Sequence, residues 1–455
     1  MHQSIHFISI GGSIMHSLAL ALQQQGYTIT GSDDEIYDPS KTRLQQGNLL
    51  PDPIGWFAEK VHTGLDAVII GMHARKDNPE LIKAQELGLP IYSYPEFVYQ
   101  QSRQKQRIVI AGSHGKTTIT SIILHVLKYH NRTFDYLIGA HVDGFDTMVK
   151  LTTNAPIIVI EGDEYASSPI DPLPKFLHYK PHIALINGIA WDHVNLYPTW
   201  DEYVDPFESL AEGMPKAGIL IFDESDDMLD VIGQKERDDI TKIPYEAYPS
   251  LIIDSSTYLT TKRSEKIPLQ IFGEHNMKNI AGAITICDRI GITEEQFFEA
   301  ITSFRGVTGR LEKIAENGNR VLFRDFAHAP SKVEATTQAV KQQYPSQKLL
   351  AVVELRTFSS LNKSFLSQYK RSLDAADKAI IYFDVHTLSL KQLEPITPHE
   401  VLAAFEHHDM KVFIDANELQ NYLLQARASA EVFLLMSSGT LSEFDINAIE
   451  QQLIN

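Results

Sequence analysis

The segment Gly112-Ser113-His114-Gly115-Lys116-Thr117-Thr118 has the residue types needed to hold a polyphosphate. Glycines let backbone N–H groups turn toward phosphate oxygens, and the first turn of a following helix adds the positive end of its dipole. Lys116 can neutralise terminal phosphate oxygens, and Thr117 can offer its hydroxyl to Mg²⁺. The spacing is the short G-x-x-G-K-T form, because position 110 is Ile. A glycine turn that merely caps a helix is the plainer alternative; the Lys-Thr pair after the second glycine argues against it.

Acidic and imidazole groups follow other apolar runs of the same stretch. Residues 156–160 (PIIVI) lead into Glu161-Gly162-Asp163-Glu164, and 183–187 (IALIN) are soon followed by Asp192-His193. In a doubly wound sheet the carboxyl ends of the strands converge on the ligand crevice, so both segments can face the phosphate loop. Glu161 would be a hard oxygen ligand for Mg²⁺, and His193 a less usual one. Nearer the start, Gly11-Gly12-Ser13 after IHFISI, with Ser32-Asp33 beyond the next strand, is the skeleton of a nucleotide-binding βαβ unit. The full G-x-G-x-x-G is missing there, since positions 9 and 14 are Ser and Ile. In GEHNMKN (273–279), Asn276 and Asn279 share a helical face and could meet a base edge. In RDFAHAP (324–330), Asp325 and His328 sit just past a short strand.

The elements that must position these groups follow from the hydrophobic pattern. Met15, Leu18, Ala19 and Leu22 share one helical face, as do Ile119, Ile122, Ile123, Val126 and Leu127. Strands predicted at 5–10, 27–31, 67–71, 107–111, 156–160, 183–187, 218–222, 349–354, 378–383, 411–414 and 431–436 alternate with helical patterns, which predicts α/β units built on parallel sheets. Residues 99–107 read as a linker, 243–272 as an irregular β region, and FRGVTGR (304–310) as a hinge. A chain of 455 residues is too long for one core. Three units are expected, over 1–103, 104–308 and 309–455. Asp and Glu number 58 against 40 Lys and Arg, a formal charge of −18, so nucleic acid and anionic lipid are disfavoured as partners. The lone Cys287 rules out an internal disulfide and suits a reducing cytoplasm. With no basic n-region before Lys41 and no long apolar run, neither export nor membrane insertion is expected.

Taken in order, the motifs GGS and GSD, AGSHGKTT, EGDE, WDH, GEHNMKN, GRLE and DFAHAP resemble the three-domain Mur ligases, ATP-dependent amide-forming enzymes of peptidoglycan precursor synthesis. The resemblance spans essentially the whole chain. Within that family, SDDEIYDPSKTRL (32–44), EGDEY with KFLHYKP (175–181), VELR (353–356) and LLMSSG (434–439) are most similar to the murein peptide ligases. Those enzymes join L-alanyl-γ-D-glutamyl-meso-diaminopimelate to UDP-N-acetylmuramate in peptidoglycan recycling. UDP-N-acetylmuramate–L-alanine ligases are the close alternative.

The resemblance implies a Rossmann-like UDP-binding unit, a central P-loop ATPase unit and a Rossmann-like C-terminal unit, working in a bacterial cytoplasm as monomer or homodimer. Gly11, Gly12, Ser13, Ser32 and Asp33 would hold the UDP part. Gly112, Ser113, His114, Gly115, Lys116, Thr117 and Thr118 would cradle the ATP phosphates, with Thr117 and Glu161 on one Mg²⁺ and His193 on a second. Asn276 and Asn279 would meet adenine, Asp325 the ribose, and Arg310 the γ-phosphate. His328 and Arg356 would lie toward the incoming amine or peptide. Many Mur ligases carry a carbamylated Lys after the Asp-His pair, yet residues 194–215 contain none, which fits the two branches named above. Arg324 stands where an Asp is usual and Ala329 where His or Thr is usual. Two readings from other classes remain: a P-loop kinase or ATPase that forms no amide, and a nicotinamide-binding protein built on residues 1–100. The third unit bearing DFAHAP argues against the former, and the incomplete dinucleotide fingerprint against the latter.

Overall fold

The computed structural model describes residues 3–439 and 452–454. Its strands gather into three main sheets. The first is parallel throughout, in the order Thr28–Ser32, Ser4–Ile8, Ala67–Ile70, Ile91–Ser93. Met15, Leu18, Ala19 and Leu22 of the helix Ser13–Gln24 are buried in its core. The chain leaves the strand Ser4–Ile8 for a partner on one side and later returns to the other, so a crevice opens at that strand's carboxyl end. The Gly11–Gly12 turn occupies it.

The second sheet repeats that logic with seven strands: Thr241–Tyr245, Ile219–Asp223, Ile183–Ile186, Gln106–Ala111, Ile157–Glu161, Asp135–Leu137 and Val149–Lys150. Only the last pair is antiparallel. Its central strands are continuous runs of Ile, Val and Leu because both faces are covered. The helices Lys116–Tyr129 and Glu274–Arg289 share one core with it, including Cys287 and Met277, while the helix Trp200–Glu212 contributes Tyr203 and Phe207 to the other. The phosphate loop leaves the middle strand, again at the switch point.

The third sheet runs Glu312–Asn317, Arg320–Asp325, Val432–Met436, Leu349–Glu354, Lys378–Tyr382, Met410–Phe413, antiparallel only at its first pair. Both neighbours dock on the central unit. Gln25 donates to the Leu151 carbonyl at 3.1 Å on one side, and Phe272 packs edge-on against Phe323 at 5.4 Å on the other. Gly306 and Gly309, the expected hinge, both take left-handed backbone (φ 93° and 71°).

Two expectations need correction. The linker at 99–107 shrinks to Arg103–Lys105, because the helix Tyr94–Ser102 is secured by a Ser93–Glu96 capping box and the strand Gln106–Ala111 starts at once. Polar composition misled there: Lys105 and Arg107 are buried and bonded. The region 243–272 is also more regular than its Pro and Thr content implied. It closes the central sheet with Thr241–Tyr245 and then forms a three-stranded antiparallel meander, Ser250–Ile253, Ser256–Thr260 and Lys266–Leu269. The predicted end of the third unit at 455 lies outside the described residues.

Lys105 is the clearest buried polar dependency. Its ammonium meets Asp135 at 2.5 Å and the Thr152 carbonyl, and both charged side chains are sealed from solvent. Removing one partner strands the other charge. Lys105→Ala should therefore lower the unfolding free energy by about 3–5 kcal/mol in a denaturant titration, and Lys105→Met with Asp135→Leu should recover most of it.

Candidate active site

The central and third units enclose a cavity of about 310 Å³. From the central unit it is lined by Ser113 to Thr118, Glu161, Asp163 to Tyr165, Asn187 and His193; from the far side Arg310, Asp325, His328 and Lys332 close it. Every residue expected on the ATP, metal or catalytic side lines this space except Gly112, whose carbonyl accepts the Lys116 ammonium at 2.7 Å. The tight loop depends on Gly115. Its φ is +75°, and a Cβ there would lie 2.2 Å from the Asn187 amide and 2.3 Å from Asn279.

A chain of largely enclosed polar groups, centred on the buried Glu164, runs across the floor. Lys116 Nζ donates to Glu164 Oε2 at 2.7 Å, and Glu164 Oε1 lies 3.0 Å from His193 Nε2. On the far side of the ring, Tyr165 Oη is 2.9 Å from His193 Nδ1. Burial alone would raise the Glu164 carboxyl, but Lys116 and His193 outweigh it and hold it well below the usual carboxylate range. The same pairing keeps Lys116 above its ordinary value against the cost of burial. His114, buried beside Lys332 and Lys116, is pushed down to about 4 and is neutral at physiological pH.

Thr117 and Glu161 are candidates to hold Mg²⁺. The Thr117 hydroxyl donates to Glu161 Oε1 at 2.8 Å, so two hard oxygens already converge beside the phosphate loop, a donor set that suits the ion. His193, expected on a second Mg²⁺, has both ring nitrogens in hydrogen bonds to Glu164 and Tyr165. Asn276 and Asn279 line the cavity with amides linked to each other at 3.1 Å; Asn187 donates to Asn279 at 3.1 Å and to the His114 carbonyl. That chain braces the loop. Asp325 accepts the Leu311 N–H and the Thr336 hydroxyl, fixing the start of the third unit. Arg310 lies over the Phe326 ring, 4.4 Å from its centroid.

The first-unit residues form a separate cluster. Gly11 N–H donates to Asp33 Oδ2 at 2.7 Å, and a Cβ on Gly11 would come within 2.8 Å of that oxygen. Ser13 begins the helix, and Lys60 donates to the buried Ser32 hydroxyl at 3.2 Å. Burial raises the Asp33 carboxyl to about 6, although the Gly11 hydrogen bond opposes it. Arg356, expected beside the incoming substrate, stands outside the walls of this cavity. It neighbours Glu354 at 3.6 Å and packs on Gly439. Lys60, Asn187 and Lys332 escaped sequence reasoning, and Tyr165 entered only as part of the EGDEY motif. Lys332 carried one usable signal: a cation in the first turn of a helix directly after DFAHAP.

Comparison with known proteins bears on what this arrangement is. Three family models match in succession: Mur ligase family, catalytic domain, over residues 4–106; Mur ligase middle domain over 110–287; and Mur ligase, glutamate ligase domain, over 309–439. A UDP-N-acetylmuramate–L-alanine ligase from Caldicellulosiruptor bescii is 31% identical over 451 residues, covering 96% of each chain. The chain belongs to the Mur ligase family. It is thus an ATP-dependent amide ligase of the α/β fold expected from sequence. Two solved structures share that fold. A murein peptide ligase from Psychrobacter arcticus matches with TM-score 0.65 and 22% identity, covering 100% of this chain and 99% of its own. A UDP-N-acetylmuramate–alanine ligase from Thermotoga maritima matches with TM-score 0.69 and 20% identity, covering 99% and 98%. Among the described residues no helix of this Mur ligase is long and apolar enough to cross a membrane.

Lys116→Ala should cut ADP formation at least ~100-fold, because it would remove the cation expected on the ATP phosphates. Phosphate release near the wild-type rate would overturn the placement. Asp33 gives a pH test. Its folded value lies above its ordinary 3.8, so the stability it contributes at low pH is lost as pH rises from about 4 to about 6. Unfolding titrations at pH 4.5 and 7 should show Asp33→Asn free of that loss, a relative gain of at most about 3 kcal/mol at pH 7. Parallel pH profiles would contradict the environment described.

Proposed function

We propose that this Mur ligase joins L-alanine to the lactyl carboxylate of UDP-N-acetylmuramate, cleaving ATP to ADP and phosphate. The observation that carries the reading is the convergence of Lys116, Glu164, His193 and Arg310, from two units, on one cavity beside a phosphate loop. The choice of L-alanine is supported by the Caldicellulosiruptor bescii relative, which carries that activity in its name. A second reading keeps the same chemistry but takes the tripeptide L-alanyl-γ-D-glutamyl-meso-diaminopimelate as amine. It is favoured by the segments 32–44, 161–165 with 175–181, 353–356 and 434–439 that resemble murein peptide ligases.

In this scheme Gly11, Gly12, Ser13, Ser32 and Asp33 hold the UDP part in the first unit, 1–103. The phosphate loop of the unit 104–308 holds ATP, with Asn276 and Asn279 toward adenine and Asp325 toward ribose. His328 and Arg356 of the unit from 309 onward face the amine substrate. A carboxylate oxygen attacks the γ-phosphorus, the bond to the β-phosphate oxygen breaks, and ADP leaves. The amine then attacks the acyl carbon of the acyl phosphate and expels phosphate. Both steps bring anions together, so Lys116, Arg310 and the loop amides provide positioned counter-charge. Mg²⁺, held by Thr117 and Glu161 with His193 toward a second ion, would supply further positive charge to the phosphates. Nothing covalent to the protein is required. The enzyme would act in a bacterial cytoplasm, where UDP-sugars and ATP coexist.

Incubation with ATP, Mg²⁺ and UDP-N-acetylmuramate, offering L-alanine or the tripeptide separately, distinguishes the readings by product mass. Product with L-alanine alone is expected. Product only with the tripeptide would move the assignment to the second reading, and ATP turnover without either amide would remove both.

A further inference from the structure

Lys332 lies in the wall of the cavity beside the phosphate loop with 19% of its side chain exposed, at the third position of the helix Pro330–Gln343. That place is unfavourable for a cation. The helix dipole is positive there, and no side chain caps the start of the helix. Its carboxylate neighbour is Asp192, from the central unit, and the contact is loose. Nζ lies 3.5 Å from Asp192 Oδ2, where a charge-assisted hydrogen bond would be about 2.7–2.9 Å. Asp192 is nearly sealed from solvent, with 3% of its side chain exposed, and is shared. Oδ1 accepts the Ser359 hydroxyl at 3.0 Å, while Oδ2 stands 3.6 Å from His328 and has no hydrogen-bond partner. By contrast, Lys116 across the cavity is closely neutralised by Glu164 at 2.7 Å.

A half-buried ammonium at the wrong end of a helix, held only loosely by its counter-ion and facing that cavity, is an arrangement with a place for a further anion. We propose that Lys332 is a catalytic cation of the phosphoryl-transfer step, contacting the γ-phosphoryl group as it passes from ATP to the substrate carboxylate, with Asp192 as the positioning residue that aims it. Lys332 exchanges no proton in this step: its N–H groups donate to phosphoryl oxygens while the bond from phosphorus to the β-phosphate oxygen breaks and that to the carboxylate oxygen forms. Because Lys332 comes from the third unit and Asp192 from the central one, the cation is in place only when those units are closed on each other. The proposal rests on the ATP-dependent reaction above, but not on which amine is used.

The test compares equilibrium binding of ADP with that of a non-cleavable ATP analogue carrying a β,γ-imido bridge, in the presence of Mg²⁺. Lys332→Met should weaken the analogue about tenfold or more and ADP by less than about threefold, since only the analogue has a γ-phosphoryl group. Retained ADP binding also reports an intact fold. Lys332→Cys should show the same selective loss. Treatment with 2-bromoethylamine, which rebuilds a side chain ending in an ammonium, should restore analogue binding to within about threefold, whereas iodoacetamide should not. The native thiol does not interfere, because Cys287 is buried and its thiol is pushed up by burial. Unchanged analogue binding, an equal loss for ADP, or failure of the ammonium to restore binding would each overturn the proposal. None of these readouts uses UDP-N-acetylmuramate, so a failed substrate assignment would show separately, as wild-type protein that binds the analogue but forms no amide.

Discussion

The ion pair between Lys116 and Glu164 sets the terms for the rest of the active site. It is close, buried on its Glu164 side, and linked through Glu164 to His193 and Tyr165. Buried charge is tolerated only when paired and hydrogen-bonded, so a phosphate-loop lysine without nucleotide needs such a partner. An arriving triphosphate competes with Glu164 for that ammonium. Glu164 then keeps its contact with His193 Nε2 at 3.0 Å. Nucleotide binding is in this way coupled to the groups on the floor of the cavity.

The same constraint explains why the chain needs three sheets. With a formal charge of −18, the protein has little long-range attraction for anions and must provide positive groups locally. It does so at switch points, where backbone amides and helix starts meet at strand ends. The Gly11–Gly12 turn and the phosphate loop are two uses of one geometry. The third sheet adds what a single switch point cannot: Arg310, His328 and Lys332 on the far side of the cavity. On the proposed function, closure between units is thereby part of the chemistry. Ser359 and Asp192, hydrogen-bonded across that boundary, are already aligned for it.

Much of this was legible in the sequence. The strands Gln106–Ala111, Ile157–Glu161 and Ile183–Ile186 are unbroken apolar runs, and such runs survive in parallel sheets covered on both faces. The stripe from Ile119 to Leu127 named the buried face of its helix without ambiguity. Glu161 and His193 could be placed because polar residues just past such strands must lie near the loop. Partnerships were not legible. No spacing rule reveals that Glu164 rather than Glu161 meets Lys116, since the choice depends on how the chain turns after Gly162. Lys105 and Arg107 looked like linker charges because burial of a cation depends on distant partners, Asp135 in one case and the Tyr179 carbonyl in the other. Arg356 packs on Gly439 and neighbours Glu354 rather than lining the cavity beside the phosphate loop, a placement no spacing rule supplies.

The central claim is that ATP is used to activate a carboxylate of the substrate within this cavity. Transfer of oxygen tests it most directly. UDP-N-acetylmuramate labelled with ¹⁸O in its lactyl carboxylate would be turned over with ATP and the productive amine, and the released phosphate weighed. The carboxylate oxygen that attacks phosphorus leaves with phosphate when the amine attacks carbon, so one labelled oxygen should appear in each phosphate formed. Phosphate free of label, with amide product still accumulating, would contradict the account.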